Sequence, residues 1–142
     1  MRDCVDLIRH CRFPLAALSS ARHDSISIPF TPATTRGSAG IEVVELQHRL
    51  AAGDAIVLVD VRQHEEFTAP PGHLPGAVNV PLANLSGRTG EFAARQQPIV
   101  VVCKTDRRSA QAATELLAAG LRDVAVLRGG TDEWHRQGLA LE

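Results

Sequence analysis

The sequence predicts an α/β fold, a central parallel sheet flanked by helices on both faces. Short, continuous apolar runs recur as "AIVLVD" (55–60), "PIVVV" (98–102) and "VAVL" (124–127), the pattern of strands covered on both sides. Helical patterns separate these runs, so strand and helix alternate roughly every twenty to thirty residues, the rhythm of a parallel sheet with crossover helices. Two strand ends, Asp60-Val61-Arg62 and Cys103 onward, carry polar chemistry where ligands bind in open sheets of this class.

Two segments are expected, an N-terminal arm over residues 1–40 and a domain over 41–142. In the arm, Cys4, Leu7, Ile8, Cys11 and Leu15 fall at helical spacing, with Pro14 interrupting the helix. "SSARHDSISIPFTPATTRGSAG" then reads as a loop or extended arm, rich in Ser, Thr, Pro and Gly. Asp3, Asp6, Arg9 and Arg12 break up any apolar core of a targeting signal. From Ile41 the pattern becomes regular. Val43, Leu46 and Leu50 share one helical face, with Gly53 following as a stop. Strand 55–60 comes next, then "AVNVP" (77–81) as a second strand ended by Pro81. "TGEFAARQQ" is expected to form a polar helix ahead of strand 98–102. Ala112, Ala113, Leu116 and Leu117 line a helix that stops at Gly120; strand 124–127 and a helix over "TDEWHRQ" (131–137) complete the domain.

Composition narrows the function classes. The chain has 142 residues, 44% of them hydrophobic, enough for one domain with a real core. A net charge of −1 and only 4% aromatic residues argue against nucleic acid and against an anionic membrane as partner. No apolar run reaches the roughly 18 residues of a spanning helix. Cys4, Cys11 and Cys103 are too few and scattered for a disulfide framework, so a reducing, cytoplasmic setting with free thiols is expected. The six histidines lack paired ligand spacing, so no metal site is expected, and the family resemblance described below implies no cofactor either.

The stretch "PIVVVCKTDRRSAQAATELLAAG" (98–120) holds the chemistry. The strand delivers Cys103 to its carboxyl end, a short turn of Lys104, Thr105, Asp106, Arg107 and Arg108 follows, and a helix begins near Arg108 or Ser109. Backbone N–H groups of so short a turn converge into an anion-binding concavity at the positive end of the helix. Such a cup favours the thiolate form of a cysteine at its base. Loop length then separates two chemistries. Cysteine phosphatases need arginine at the sixth position after the cysteine, where this chain has Ser109. Arg108 instead completes a tighter C-x4-R loop, which suits a single sulfur better than a tetrahedral phosphate.

"LVDVRQHEEF" (58–67), "GHLPGAVNVPL" (72–82), "VVVCKTDRRSAQAA" (100–113) and "LRGGTDEWHRQGL" (127–139), in that order, resemble the successive motifs of single-domain rhodaneses. The resemblance runs from about Ile41 to Glu142. It implies a sulfurtransferase in which Cys103 carries sulfane sulfur as a persulfide. The sulfur would come from a small anionic or persulfide donor such as thiosulfate and go to a thiol or protein acceptor. It further implies that Arg108 closes the active-site loop, that Lys104 faces the mouth, and that Asp60 and Arg62 brace the loop from the neighbouring strand. Arg62 has Glu65 and Glu66 as alternative partners. Arg107 reads as solvated, Ser109 as a first-turn or capping hydroxyl, His73 as a turn residue and Trp134 as core. Asp106 stands where the family loop often carries glycine. It would fit a left-handed backbone there, and its carboxylate would oppose a doubly charged donor. The rival readings are a non-catalytic rhodanese-like module that binds a partner, and a redox sensor at Cys103.

Overall fold

The computed structural model describes residues 38–142, so the expected arm over 1–40, with its helix around Cys4–Leu15, lies almost wholly outside the described residues. Five strands form one sheet: β1 (Ala39–Ile41), β2 (Val57–Asp60), β3 (Val78–Asn79), β4 (Ile99–Val102) and β5 (Val124–Leu127). Their spatial order is β1-β5-β4-β2-β3, and every neighbouring pair is parallel. Five α-helices connect and flank them: α1 (Val43–Ala51), α2 (His64–Thr68), α3 (Thr89–Arg95), α4 (Arg107–Ala118) and α5 (Gly130–Arg136).

All four residues of β2, of β4 and of β5 are buried, as their continuous apolar runs require. The period-two alternation of each strand sorts the core into two layers. Val57, Val59, Ile99, Val101 and Cys103 face Phe92 of α3 and Ala112, Ala113 and Leu116 of α4. Leu58, Val100, Val102, Ala125 and Leu127 face Val43 and Leu46 of α1 and Trp134 of α5. Each fully buried aliphatic side chain contributes about 1.5–3 kcal/mol. Trp134 is core, as expected, and its indole N–H donates to the Ala140 carbonyl at 2.9 Å.

The boundaries shift where local chemistry outruns periodicity. Strand 55–60 begins only at Val57 and strand 77–81 shrinks to Val78–Asn79. Strand β1 escapes notice because it has three residues, one of them Gly40. Helix α2 has no buried residue and so no apolar stripe to betray it. A reciprocal capping box starts it instead, Gln63 and Glu66 each bonding the other's backbone N–H.

Candidate active site

The parallel sheet brings the carboxyl ends of β2 and β4 side by side. Asp60 is in register with Val102, and the Val61 N–H donates to the Val102 carbonyl at 2.9 Å. Cys103 therefore emerges next to the 60–62 segment. Its side chain continues the alternation of Ile99 and Val101 into the α3–α4 layer, where it is 1% exposed.

The turn from Cys103 to α4 is oriented from the far side by α5. Thr131 N–H donates to the Cys103 carbonyl at 2.9 Å and Asp132 N–H to the Lys104 carbonyl at 3.1 Å. Gly130 makes room for this: a Cβ there would collide with the carbonyls of Cys103, Lys104 and Thr105. With these carbonyls drawn toward α5, the loop presents its N–H groups elsewhere. Among the described residues, the N–H groups of Lys104 through Ser109 have no protein acceptor. A run of unpaired donors at a helix start is an anion site in waiting.

Helix α4 begins at Arg107 with Asp106 as its N-cap, one residue ahead of the expected start. Ser109 lies in the first turn, buried, with Oγ 3.3 Å from Cys103 Sγ and 3.1 Å from the Asp106 carbonyl. The sequence suggested only a helix-start role for this hydroxyl. Asp106 has φ −143°, so the position needs no left-handed residue. Its side chain makes no capping hydrogen bond and is exposed. Lys104, Thr105 and Arg107 are also exposed.

Arg108 has an acidic partner that the sequence reading did not name, and Arg62 departs from the partners expected for it. Arg108 donates to Glu66 of α2 through two hydrogen bonds of 2.5 and 2.8 Å. The bonded guanidinium holds the Glu66 carboxyl down at about 2, while the carboxylate raises Arg108, with Cys103 adding to that pull. Arg62 turns back on Asp60 instead of pairing with Glu65 or Glu66: its Nη2 lies 2.8 Å from Asp60 Oδ2 and 3.0 Å from the Gly72 carbonyl. The pair is almost wholly buried. Neither Asp60 nor Arg62 hydrogen-bonds the cysteine loop among the described residues; they stiffen the adjacent crossing instead. The cause is proximity, since a buried carboxylate two residues away demands a partner on the spot. His73 serves the turn, stacked on Phe67 at 3.7 Å with Nδ1 3.2 Å from the Phe67 carbonyl.

Glu66 and Gly130 are the site residues that sequence reasoning passed over. The Gln63-x-x-Glu66 spacing would have marked α2, and the Gly129-Gly130 pair a close backbone approach.

Residues 42–137 match the family model described as the rhodanese-like domain. A sulfurtransferase of Allochromatium vinosum is 33% identical over 101 residues, covering 71% of this chain and 92% of that one. An HTH-type transcriptional regulator of Mycobacterium tuberculosis is 38% identical over 99 residues, covering 69% of this chain; the match spans only 42% of the regulator's length. The crystal structure of a thiosulfate sulfurtransferase from Pseudomonas aeruginosa superposes with a TM-score of 0.68 at 33% identity, covering 74% of this chain and 20% of that one.

Proposed function

The chain belongs to the rhodanese-like domain family, and from that premise we propose that it is a sulfurtransferase working through a persulfide on Cys103. The observation that carries this reading is the placement of Sγ under the 104–109 turn, 3.3 Å from the Ser109 hydroxyl, with that turn's N–H groups unpaired among the described residues.

In this reading the Cys103 thiolate attacks the outer sulfur of a thiosulfate- or persulfide-type donor. The bond between that sulfur and the rest of the donor breaks, its electron pair leaving with sulfite or a thiolate, and Cys103 is left as a persulfide. An acceptor thiol or protein then takes the outer sulfur. The turn's N–H groups hold the negative charge at both stages, preorganised by the α5 contacts. The Ser109 proton has two claimants, the Asp106 carbonyl and the sulfur. As a thiol, Cys103 donates to the hydroxyl; as a thiolate or persulfide it accepts from it. Lys104 and Arg107 stand at the mouth, Thr105 and Asp106 on its rim. Arg108, clamped by Glu66, fixes loop shape. Asp60 and Arg62 support the neighbouring crossing. We assign the catalytic domain to residues 41–142.

Intact mass spectrometry under non-reducing conditions tests the proposal. The protein exposed to thiosulfate or an organic persulfide should gain one sulfur atom, lost again to cyanide or dithiothreitol and absent in Cys103→Ser. No gain from any donor would move Cys103 to a sensor or relic and the domain to a partner-binding role.

A further inference from the structure

Arg108 borders a hollow of about 480 Å³ beside the cup, with Thr105, Arg107 and Gln111, and lies within electrostatic reach of Cys103. Its fork is already occupied. Both terminal nitrogens donate to Glu66, at 2.5 and 2.8 Å. A guanidinium grips a carboxylate or a larger oxyanion with the same two parallel N–H donors. In the resting chain, then, a side chain of α2 takes the place that an anion would want. Two observations make this contact exchangeable. The side chains of Glu66 and Arg108 are 38% and 35% exposed, so water competes for both. The carboxylate also has a second partner, the Gln63 N–H at 3.1 Å, which keeps Glu66 anchored to α2 when the arginine leaves.

Resting on the persulfide reading, we propose that Glu66 determines donor specificity: its carboxylate is an internal competitor that holds Arg108 until an oxyanion donor displaces it. Thiosulfate offers its sulfonate-like oxygens to the same fork and gains Arg108 only by releasing Glu66. The covalent step then follows. The Cys103 thiolate bonds to the outer sulfur, the donor's sulfur–sulfur bond breaks, and its electron pair leaves with sulfite. A persulfide donor without an oxyanion makes no use of the fork and gains nothing from its release. Glu66 therefore tilts the choice of donor away from oxyanions, in the same sense as the exposed Asp106 on the rim. The two act by different routes. Asp106 repels through space, whereas Glu66 withholds one particular cation.

Inorganic sulfate, a dianion with no sulfur to transfer, reads the competition without turnover. At constant ionic strength it should slow alkylation of Cys103 by iodoacetamide, followed on the peptide that carries Cys103 because the chain has two other cysteines. The sulfate concentration giving half protection should fall about fivefold in Glu66→Gln, the upper end for an exposed ion pair. Glu91→Gln removes the same charge from the exposed Arg88–Glu91 pair and should not move it. Sulfur loading of Cys103, followed by mass, should change in step. The ratio of thiosulfate to organic-persulfide loading rates should rise about fivefold in Glu66→Gln, and the rise should vanish when Arg108→Gln is added. Glu66→Asp, one methylene shorter, should shift both readouts the same way by less, and it stands in if Glu66→Gln does not fold. An unmoved sulfate midpoint with both donors slowed alike would make Glu66 a brace only and overturn the proposal. An equal shift in Glu91→Gln would overturn it as well, by showing that net charge alone is at work. A protein that sulfate protects but no donor loads would instead overturn the persulfide reading on which the choice of donor rests.

Discussion

At the scale of the residue, the cup is a balance of few charges. Four cations border it or its neighbouring crossing, but Arg62 is neutralised by Asp60 and Arg108 by Glu66. Lys104 and Arg107 remain, and Asp106 opposes them from an exposed position. A dianionic donor therefore meets one surplus positive charge on the rim, where a persulfide carrying less charge is penalised less. Two unit charges about 4 Å apart in bulk water interact by about 1 kcal/mol, and a dianion doubles that. Asp106→Asn should then raise kcat/KM for thiosulfate roughly thirtyfold at low salt, with the gain shrinking as ionic strength rises. Asparagine is the right replacement because φ −143° is ordinary backbone, so glycine would add flexibility without relieving strain. Unchanged thiosulfate kinetics in this variant would show that the carboxylate lies too far from the bound donor to matter.

At the scale of the element, α2 is small but holds the loop through one contact. Glu66 spends one oxygen on its own helix's capping box and both on Arg108. Glu66 sits at about 2 in the folded chain against an ordinary 4.5, so its contribution to stability is fully present above pH 4.5. It fades as the pH falls from there toward 2. Both side chains are more than a third exposed or nearly so, which limits the contribution to about 1 kcal/mol. Thermal unfolding followed from pH 6 to 2.5 should show Glu66→Gln less stable at the upper end, with the two curves converging at the lower. Parallel curves would mean that the pair holds the loop without stabilising the fold. The sequence could not reveal this brace. Helix α2 buries nothing, so it has no apolar period, and Glu66 and Arg108 are separated by 42 positions. Cys103, Arg108 and Ser109, by contrast, were legible because strand end, turn and helix start are consecutive, and local order alone places them together. The partner of Arg62 was misread for the same reason in reverse: Asp60 was closer in sequence than either glutamate, and burial made it the necessary choice.

At the scale of the whole molecule, elements far apart in the chain order meet at the cup. The major strands announced themselves because β2, β4 and β5 are buried on both faces, whereas edge strand β1 is too short to carry a pattern and edge strand β3 keeps only two of the residues expected for it. What no pattern could show is that α5, the last helix, packs its first turn against the turn that follows β4. Gly130 is the hinge of that arrangement. It has φ +59°, and its missing Cβ is the space taken by the carbonyls of Cys103, Lys104 and Thr105. Gly130→Ala would pay about 1–2 kcal/mol for the left-handed backbone alone. The three oxygens are main-chain atoms of the turn after β4 and cannot step aside cheaply, so the loop or α5 must move as well. Gly138 supplies the control, with φ +74° and nothing within 4 Å of where its Cβ would stand. Gly138→Ala should therefore lower stability by the backbone cost and leave sulfur loading of Cys103 intact. Gly130→Ala should lose about 2–4 kcal/mol and load sulfur slowly even where it is still folded. Denaturant unfolding paired with the rate of persulfide formation, both below the unfolding transition, distinguishes the two. If the variants lost equal stability and both loaded normally, the contact between α5 and the loop would be mere packing. If only Gly130→Ala loads slowly, the last helix of the chain shapes the anion cup after its central strand.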